Sequence, residues 1–346
     1  MALVFHVDGP RWRRHLSRTV TANPGIVPVT KGNGYGFGLD RLLAECTRLH
    51  GSDGVGMIAV GTHTEAPRAL AGFPGDVLVM EPYRPVLHQD LAGLDAPALV
   101  HTIASPDDLV DLVGRVERPR VVLEGLTSMN RHGMPREQLH ACLAGLDGVR
   151  ADLVGVTLHL PLGTGQLAEA ETWLREFDVT TWFVSHVRPA ELASLRQRHP
   201  QRVIRPRIGT SLWLGEPAAL SVRAHVLDVR EVSSGDRAGY RQRRVRDGHL
   251  LVVSGGTAHG VAMEAPTAAS TLRQRGIAVA EGLLQAAGRI RAPFTVSGRD
   301  TWFVEPPHMQ VSLITLPDGA VPPQVGDEVE VRVRHTTMHA DDVVLS

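Results

Sequence analysis

Eight short apolar runs, each closed by a turn and most followed by an amphipathic stretch, occupy residues 24–216. That alternation constrains the fold more than any other feature of the chain. The runs are Val27–Thr30, Gly56–Val60, Val77–Met80, Leu99–Ile103, Arg120–Leu123, Leu153–His159, Trp182–Ser185 and Val203–Ile208. Helical patterns fill intervals between them: Leu39–His50, Pro106–Val116, Arg136–Ala144, Gln166–Glu176 and Pro189–Arg198. The interval between the third and fourth runs lacks a clear helical pattern. Short Val/Ile/Leu-rich runs alternating with helices suit strands buried on both faces. Eight in succession predict a (β/α)8 barrel spanning 11–216.

The texture changes after residue 217. Val222–Val232, His249–Ser254, Trp302–Val304, Met309–Thr315 and Glu328–Val333 read as strands set between Gly, Pro and Asp turns. Only Thr271–Leu284 has a helical pattern. This is a mostly-β second domain, 217–346, to which Leu3–Val7 within the leading 1–10 segment can add a strand.

Charge narrows the partners. Lys plus Arg total 36 against 37 Asp plus Glu. A balance that close gives no whole-chain attraction to nucleic acid or to anionic membranes. No run is long enough to span a bilayer, and no apolar signal core precedes Arg11-Trp12-Arg13-Arg14. The two cysteines, Cys46 and Cys142, fall in separate expected helices without metal-type spacing, so a reduced, cytoplasmic protein is expected. The 17 histidines are scattered. In the tail, His335, His339, Asp341 and Asp342 are metal-capable side chains. They follow a strand-like alternation in which four-residue spacing is not diagnostic, and no metal is assigned.

Lys31 is the chain's only lysine, and it ends the first apolar run, followed by Gly32-Asn33-Gly34-Tyr35-Gly36-Phe37-Gly38. A lysine at the end of an inner strand is expected in a cleft. There desolvation lowers its pKa and makes it a nucleophile able to form a Schiff base. The glycines let backbone approach an anionic ligand, and Tyr35 offers a phenolic donor.

The Lys31 segment resembles the pyridoxal-phosphate lysine segment of the alanine racemase family, Lys-Ala-Asn-Ala-Tyr-Gly-His-Gly. The barrel-then-β organisation resembles that family over essentially the whole chain. The resemblance implies pyridoxal 5'-phosphate as cofactor, Lys31 as its Schiff-base partner and Tyr35 as a phosphate contact. His159 resembles the family histidine that lies against the pyridine face. Arg207, in Arg205-Pro206-Arg207-Ile208-Gly209-Thr210, resembles the arginine that donates to the pyridine nitrogen. Gly209 and Thr210 then meet the phosphate. A guanidinium has donors only, so it keeps that nitrogen unprotonated, which suits proton transfer at Cα. Arg131 resembles the arginine that contacts the substrate carboxylate. Leu126 and Ser128 depart from the family pattern there, and Glu124 takes the place of a carbamylated lysine, able to brace Arg131 through a charge-assisted pair. Met309, in Glu305-Pro306-Pro307-His308-Met309, resembles a methionine whose amide binds the carboxylate. The resemblance also implies a head-to-tail homodimer in which each β domain completes the partner's barrel mouth.

The largest departure lies in Gly256-Thr257-Ala258-His259-Gly260, where the family has Gly-Tyr-Ala-Asp-Gly. That tyrosine is the family's second proton-transfer base, and a threonine hydroxyl is too weak an acid to replace it. Losing one positioned base costs roughly 10²–10⁴ in rate. His259 is the expected substitute, with His308 the other candidate. The chain therefore reads as a racemase-like enzyme acting on a free amino acid or small derivative. A one-sided Cα–H exchanger, a decarboxylase-like enzyme and a non-catalytic cofactor-binding scaffold stay open. A decarboxylase of this fold type uses a cysteine in the β domain, and here both cysteines lie in the barrel.

Overall fold

The computed structural model describes residues 2–88, 93–263 and 290–346, together with Arg273, Gly276 and Gly282. The rest of the helix expected over Thr271–Leu284 lies outside the described residues. The chain forms two compact units: residues 13–34 with 39–215, and residues 1–12 with 35–38 and 216–346.

Strand β1 (Leu3–Val7) belongs to the second unit. The first unit carries β2 (Val27–Pro28), β3 (Met57–Val60), β4 (Asp76–Pro82), β5 (Leu99–Ile103), β6 (Arg120–Gly125), β7 (Asp152–Leu158), β8 (Thr181–Ser185) and β9 (Val203–Ile208). They pair in parallel in the order β2-β9-β8-β7-β6-β5-β4-β3. A parallel bridge between Val29 and Ala59 closes the ring, and the Thr30 amide donates to the Ala59 carbonyl at 2.7 Å. This is the expected (β/α)8 barrel. Its helices are α1 (Gly9–Ala22, in this unit from Arg13), α2 (Leu39–Asp53), α3 (Ala66–Gly72), α4 (Pro85–His88), α5 (Pro106–Arg115), α6 (Arg136–Gly145), α7 (Gln166–Glu176), α8 (Pro189–Arg198) and α9 (Thr210–Trp213). α4 is a single turn in the interval that lacked a helical pattern.

The β unit holds β10 (Leu220–Val232), β11 (Arg237–Ala238), β12 (Arg243–Arg244), β13 (Gly248–Ser254), β14 (Ile290–Val296), β15 (Arg299–Phe303), β16 (Val311–Pro317), β17 (Glu328–Val331) and β18 (Asp342–Leu345). Its main sheet runs β13-β16-β15-β14-β17-β10-β1-β18, and β13 also pairs with β10. The long β10, irregular between Val226 and Asp228, thereby closes six strands into a ring. β1 lies antiparallel to β10 and parallel to β18. β11 and β12 form the hairpin whose tip carries Tyr240 and Arg241.

Candidate active site

Side chains alternate across a strand, and that rule places the polar groups at the barrel mouth. On β6, Val121 and Leu123 pack outward on the helices and Val122 enters the barrel core, which puts Glu124 on the inner face. On β7, outward Val156 and Leu158 leave Thr157 and His159 inward. On β9, outward Ile204 leaves Arg205 and Arg207 inward, and the Arg205 guanidinium lies 5.4 Å from the centroid of the inner Phe183 ring. Inward Val27 and Val29 put Lys31, two residues further on, on that same side. The C-terminal ends of the strands thus surround one another with Lys31, Glu124, Thr157, His159 and Arg207 above an apolar floor.

Lys31 is exposed as a residue, open to small molecules. Enough protein still surrounds its amine for desolvation to lower its pKa. The positive charges of Arg131 and Arg207 add to that effect, and Glu65 opposes it. The turn around the lysine is held tightly. The Glu65 carboxylate accepts from the Gly32 amide through Oε1 and from the Gly61 amide through Oε2, both at 2.7 Å. A Cβ at Gly61 would come within 3.1 Å of both Lys31 Cβ and Glu65 Oε2, so a larger residue there would push on the lysine or its clasp by a few tenths of an ångström. Below it, the fully buried Trp213 donates its indole N–H to the Val29 carbonyl at 2.8 Å. Trp213 therefore fills the core and fixes the end of β2. Gly209 and Thr210, between Arg207 and Trp213, lead into α9.

Arg207 is buried, and burial pulls its pKa down to about 10 although Glu124 opposes the shift. It donates through Nη2 to the Leu158 carbonyl at 3.3 Å. Its Nε, Glu124 Oε2 and Thr157 Oγ1 are buried without hydrogen-bond partners among the described residues. Burial raises the Glu124 pKa against the pull of Arg207, Arg131 and Arg84. Arg131 acts on Glu124 through its charge, after Arg207, while Glu124 Oε2 has no hydrogen-bond partner among the described residues. Burial, followed by the charges of Arg207 and Arg131, drives His159 down to about 3, which leaves a neutral ring at physiological pH. Its edge meets the His186 ring at a centroid distance of 5.3 Å.

The exposed Arg131 sits on a loop folded back against the end of β6. Met134 donates its amide to the Glu124 carbonyl and Leu126 donates to the Met134 carbonyl, at 2.7 and 2.9 Å. Gly133 lies so close to this strand end that a Cβ would sit 2.5 Å from the Gly125 carbonyl carbon. Thr127 Oγ1 donates to the His159 carbonyl at 2.6 Å, tying the arginine loop to the histidine strand.

In the β unit, Thr257 is exposed at the start of a short turn. His259 is buried. Its Nδ1 accepts from the Gly256 amide at 3.2 Å, and its Nε2 lies 3.1 Å from Asp341 Oδ2. His308 is arranged differently. Its Nε2 donates to the buried Glu305 at 2.7 Å, and its ring lies 4.5 Å from that of Tyr240. Burial pushes the Glu305 carboxyl up, but His308 and the amides of Tyr240 and Arg241 outweigh it and hold it below its ordinary value. Met309 is exposed, and its carbonyl accepts from the Ala258 amide at 2.9 Å. Tyr35 is buried in this unit with φ of 56°, a left-handed conformation rare outside glycine. The tail histidines and aspartates are not drawn into a metal-type group among the described residues.

Glu65 went unnoticed in the sequence. Its signal was Thr62-His63-Thr64-Glu65, the spacing of a capping box, just after the second apolar run.

The profile of the family described as "Alanine racemase, N-terminal domain" matches residues 11–201. The chain is 25% identical over 284 residues to the alanine racemase of Polaromonas naphthalenivorans, covering 75% of each chain. It resembles in fold the biosynthetic alanine racemase of Pseudomonas aeruginosa (TM-score 0.66, 21% identity, 97% of this chain and 91% of that one). It also resembles the alanine racemase of Bartonella henselae with covalently bound pyridoxal phosphate (TM-score 0.72, 16% identity, 100% of both chains).

Proposed function

The chain belongs to the alanine racemase family, and from that premise we propose that it is a pyridoxal-phosphate-dependent enzyme. It moves the Cα proton of a free amino acid or small amino-acid derivative, using a second base unlike the family's tyrosine. One observation carries this reading. The chain's only lysine stands at the end of an inner barrel strand, its pKa lowered, beside a buried arginine and a neutral histidine.

The residues fit the cofactor. Arg207 Nε, Thr157 Oγ1 and Glu124 Oε2 are unmet buried polar atoms, each costing about 1–3 kcal/mol when left so. A polar ligand in the mouth recovers that cost. When bound, the cofactor supplies an aldehyde for the lysine amine and an electron-accepting ring next to the substrate's Cα. Arg207, able only to donate, keeps a ring nitrogen unprotonated. His159 offers the face of an uncharged imidazole. Tyr35, Gly209 and Thr210 are assigned to the phosphate, and Arg131 with the Met309 amide to the substrate carboxylate. Lys31 takes or returns the Cα proton on one face.

For the opposite face we assign His308 first. Glu305 holds its Nε2–H, which leaves the Nδ1 lone pair to take a proton, the arrangement of an oriented general base. His259 is the second reading, favoured by its place two residues after Thr257. It must first give up either the Gly256 amide or Asp341. Either base reaches a partner's barrel in the head-to-tail homodimer that belongs to this proposal. The two free, buried cysteines support a reducing, cytoplasmic setting. No described helix is long and apolar enough to cross a membrane.

The test is incubation of the cofactor-loaded protein with individual amino acids in deuterated water, read by NMR and chiral chromatography. The expected product is inverted and deuterated at Cα. Exchange without inversion would restrict the enzyme to one face. Loss of the carboxyl would make it a decarboxylase, and silence across a broad panel would leave a cofactor-binding scaffold.

A further inference from the structure

A second polar cluster lies on the same barrel rim, outside the groups assigned above. His63 stands in the turn His63–Glu65 after β3, Glu81 near the end of β4, His88 in α4 and His101 in β5. The three histidines are 3%, 4% and 1% exposed. Glu81 Oε2 lies 3.4 Å from His63 Nδ1 and 3.3 Å from His88 Nε2, and one ligand atom from each of these three residues falls within 4.8 Å of the others.

The hydrogen bonds fix where the protons are. His101 Nε2 is 2.9 Å from the Leu94 carbonyl and must donate to it. A neutral His101 then has a lone pair on Nδ1, which faces His63 Nε2 at 3.3 Å and takes the proton from that side. His63 is left with a bare Nδ1 directed at a carboxylate oxygen. With His63 neutral, its Nδ1 lone pair faces Glu81 Oε2 at 3.4 Å, and that oxygen also accepts from the His63 backbone amide at 3.1 Å and faces His88 Nε2 at 3.3 Å, so three groups converge on one carboxylate oxygen where a cation can enter.

We propose that His63, Glu81 and His88 bind a divalent transition-metal ion of the zinc type. Ligands about 2.0–2.1 Å from a tetrahedral ion lie about 3.3–3.4 Å from one another, and both separations from Glu81 match that edge. Two imidazoles and one carboxylate favour zinc-like ions over magnesium or calcium, which prefer all-oxygen shells. The Glu81 side chain is 33% exposed, which gives the ion an entry and a solvent ligand. His101 orients His63 through the Nε2–H bond, as partners behind metal-bound histidines do. His88 is the weakest of the three ligands. Its Nδ1 accepts from the Arg84 amide at 2.9 Å, so Nε2 must lose its proton and that amide must let go. The ion would stiffen the turn that also carries Glu65, whose carboxylate holds Gly32 beside Lys31. This proposal stands independently of the cofactor reading.

The test uses the whole protein, stripped by dialysis against a chelator and titrated with Zn2+ in competition with a colorimetric chelator. One ion per chain is expected. His63→Ala and Glu81→Gln should weaken binding at least about 100-fold, His101→Phe about 10–100-fold and His88→Ala about tenfold. His339→Ala, on the tail, should leave it unchanged. Cobalt(II) added to the unaltered protein should give the intense visible bands of a four-coordinate ion, a readout that needs no variant to fold. Failure to bind one ion per chain, a weak six-coordinate cobalt spectrum, or undiminished affinity in folded His63→Ala and Glu81→Gln would overturn the proposal.

Discussion

The barrel and the β unit meet the family's pattern to different degrees. The barrel has a lysine, a histidine and an arginine at the strand ends, all raised above the apolar floor by one pleat rule. In the β unit, the proposed reading sets Thr257 in the place of the family's tyrosine, and two nearby histidines, His259 and His308, are each already engaged with a carboxylate. A barrel site is set by strand register, where a one-residue slip would turn every inner group outward. A loop site such as Gly256–Gly260 has no such constraint and can change its chemistry without disturbing the sheet. On the proposed function, the cofactor half of the reaction is therefore anchored in the fold, and the stereochemical half rests on a few replaceable side chains.

That contrast breaks most directly at His308. His308→Ala should lower inversion by about 10²–10⁴ while deuterium exchange on the Lys31 face continues. His259→Ala should keep inversion and lose thermal stability, because it removes the Asp341 pair. Opposite results for the two variants would move the second base to His259. Thr257→Tyr should raise the ratio of inversion to exchange by restoring the family's phenol.

A smaller effect tests how firmly the barrel half is anchored. Glu65→Ala removes the acceptor for the Gly32 and Gly61 amides, worth about 1–3 kcal/mol. It should lower Tm by several degrees and weaken cofactor retention, as followed by calorimetry and by the visible absorbance of the loaded protein. Unchanged retention would mean that the Lys31 turn does not depend on this carboxylate.

A last effect is in acid stability. His159 titrates at about 3 in the folded chain against about 6.5 when unfolded. Between those values the unfolded chain binds a proton that the folded chain refuses, so stability falls as pH drops through that window. His159→Phe should make that decline shallower in denaturant titrations from about pH 7 to about pH 4. Identical slopes would show that the ring is not held neutral by its surroundings.

The two halves also differed in what the sequence disclosed. Leu99–Ile103, buried throughout, and Val203–Ile208, whose apolar residues flank Arg205-Pro206-Arg207, are legible to the residue. Ile290–Val296 is not. It alternates polar and apolar residues, contains Pro293 and shifts register between Ala292 and Thr295, so no run marks it. Asp342–Leu345 is a four-residue edge strand whose apolar run, Val343-Val344-Leu345, is too short to mark it. At the site, Lys31 and His159 could be located because each ends an apolar run, whereas Arg207 is singled out from Arg205 by the resemblance of Gly209 and Leu212-Trp213 to the family segment. The Glu65 clasp and the His63–Glu81–His88 cluster could not. Their members come from separate strands and turns, and only barrel closure brings them together.

The central claim is the bond between the cofactor and Lys31. Loading the protein with pyridoxal phosphate, reducing with borohydride and mapping peptides by mass spectrometry tests it in one step. The account predicts a pyridoxyl-lysine at position 31, in the only peptide that contains a lysine. A label found solely on the chain's terminal amine, or no label with aldehyde in excess, would contradict it.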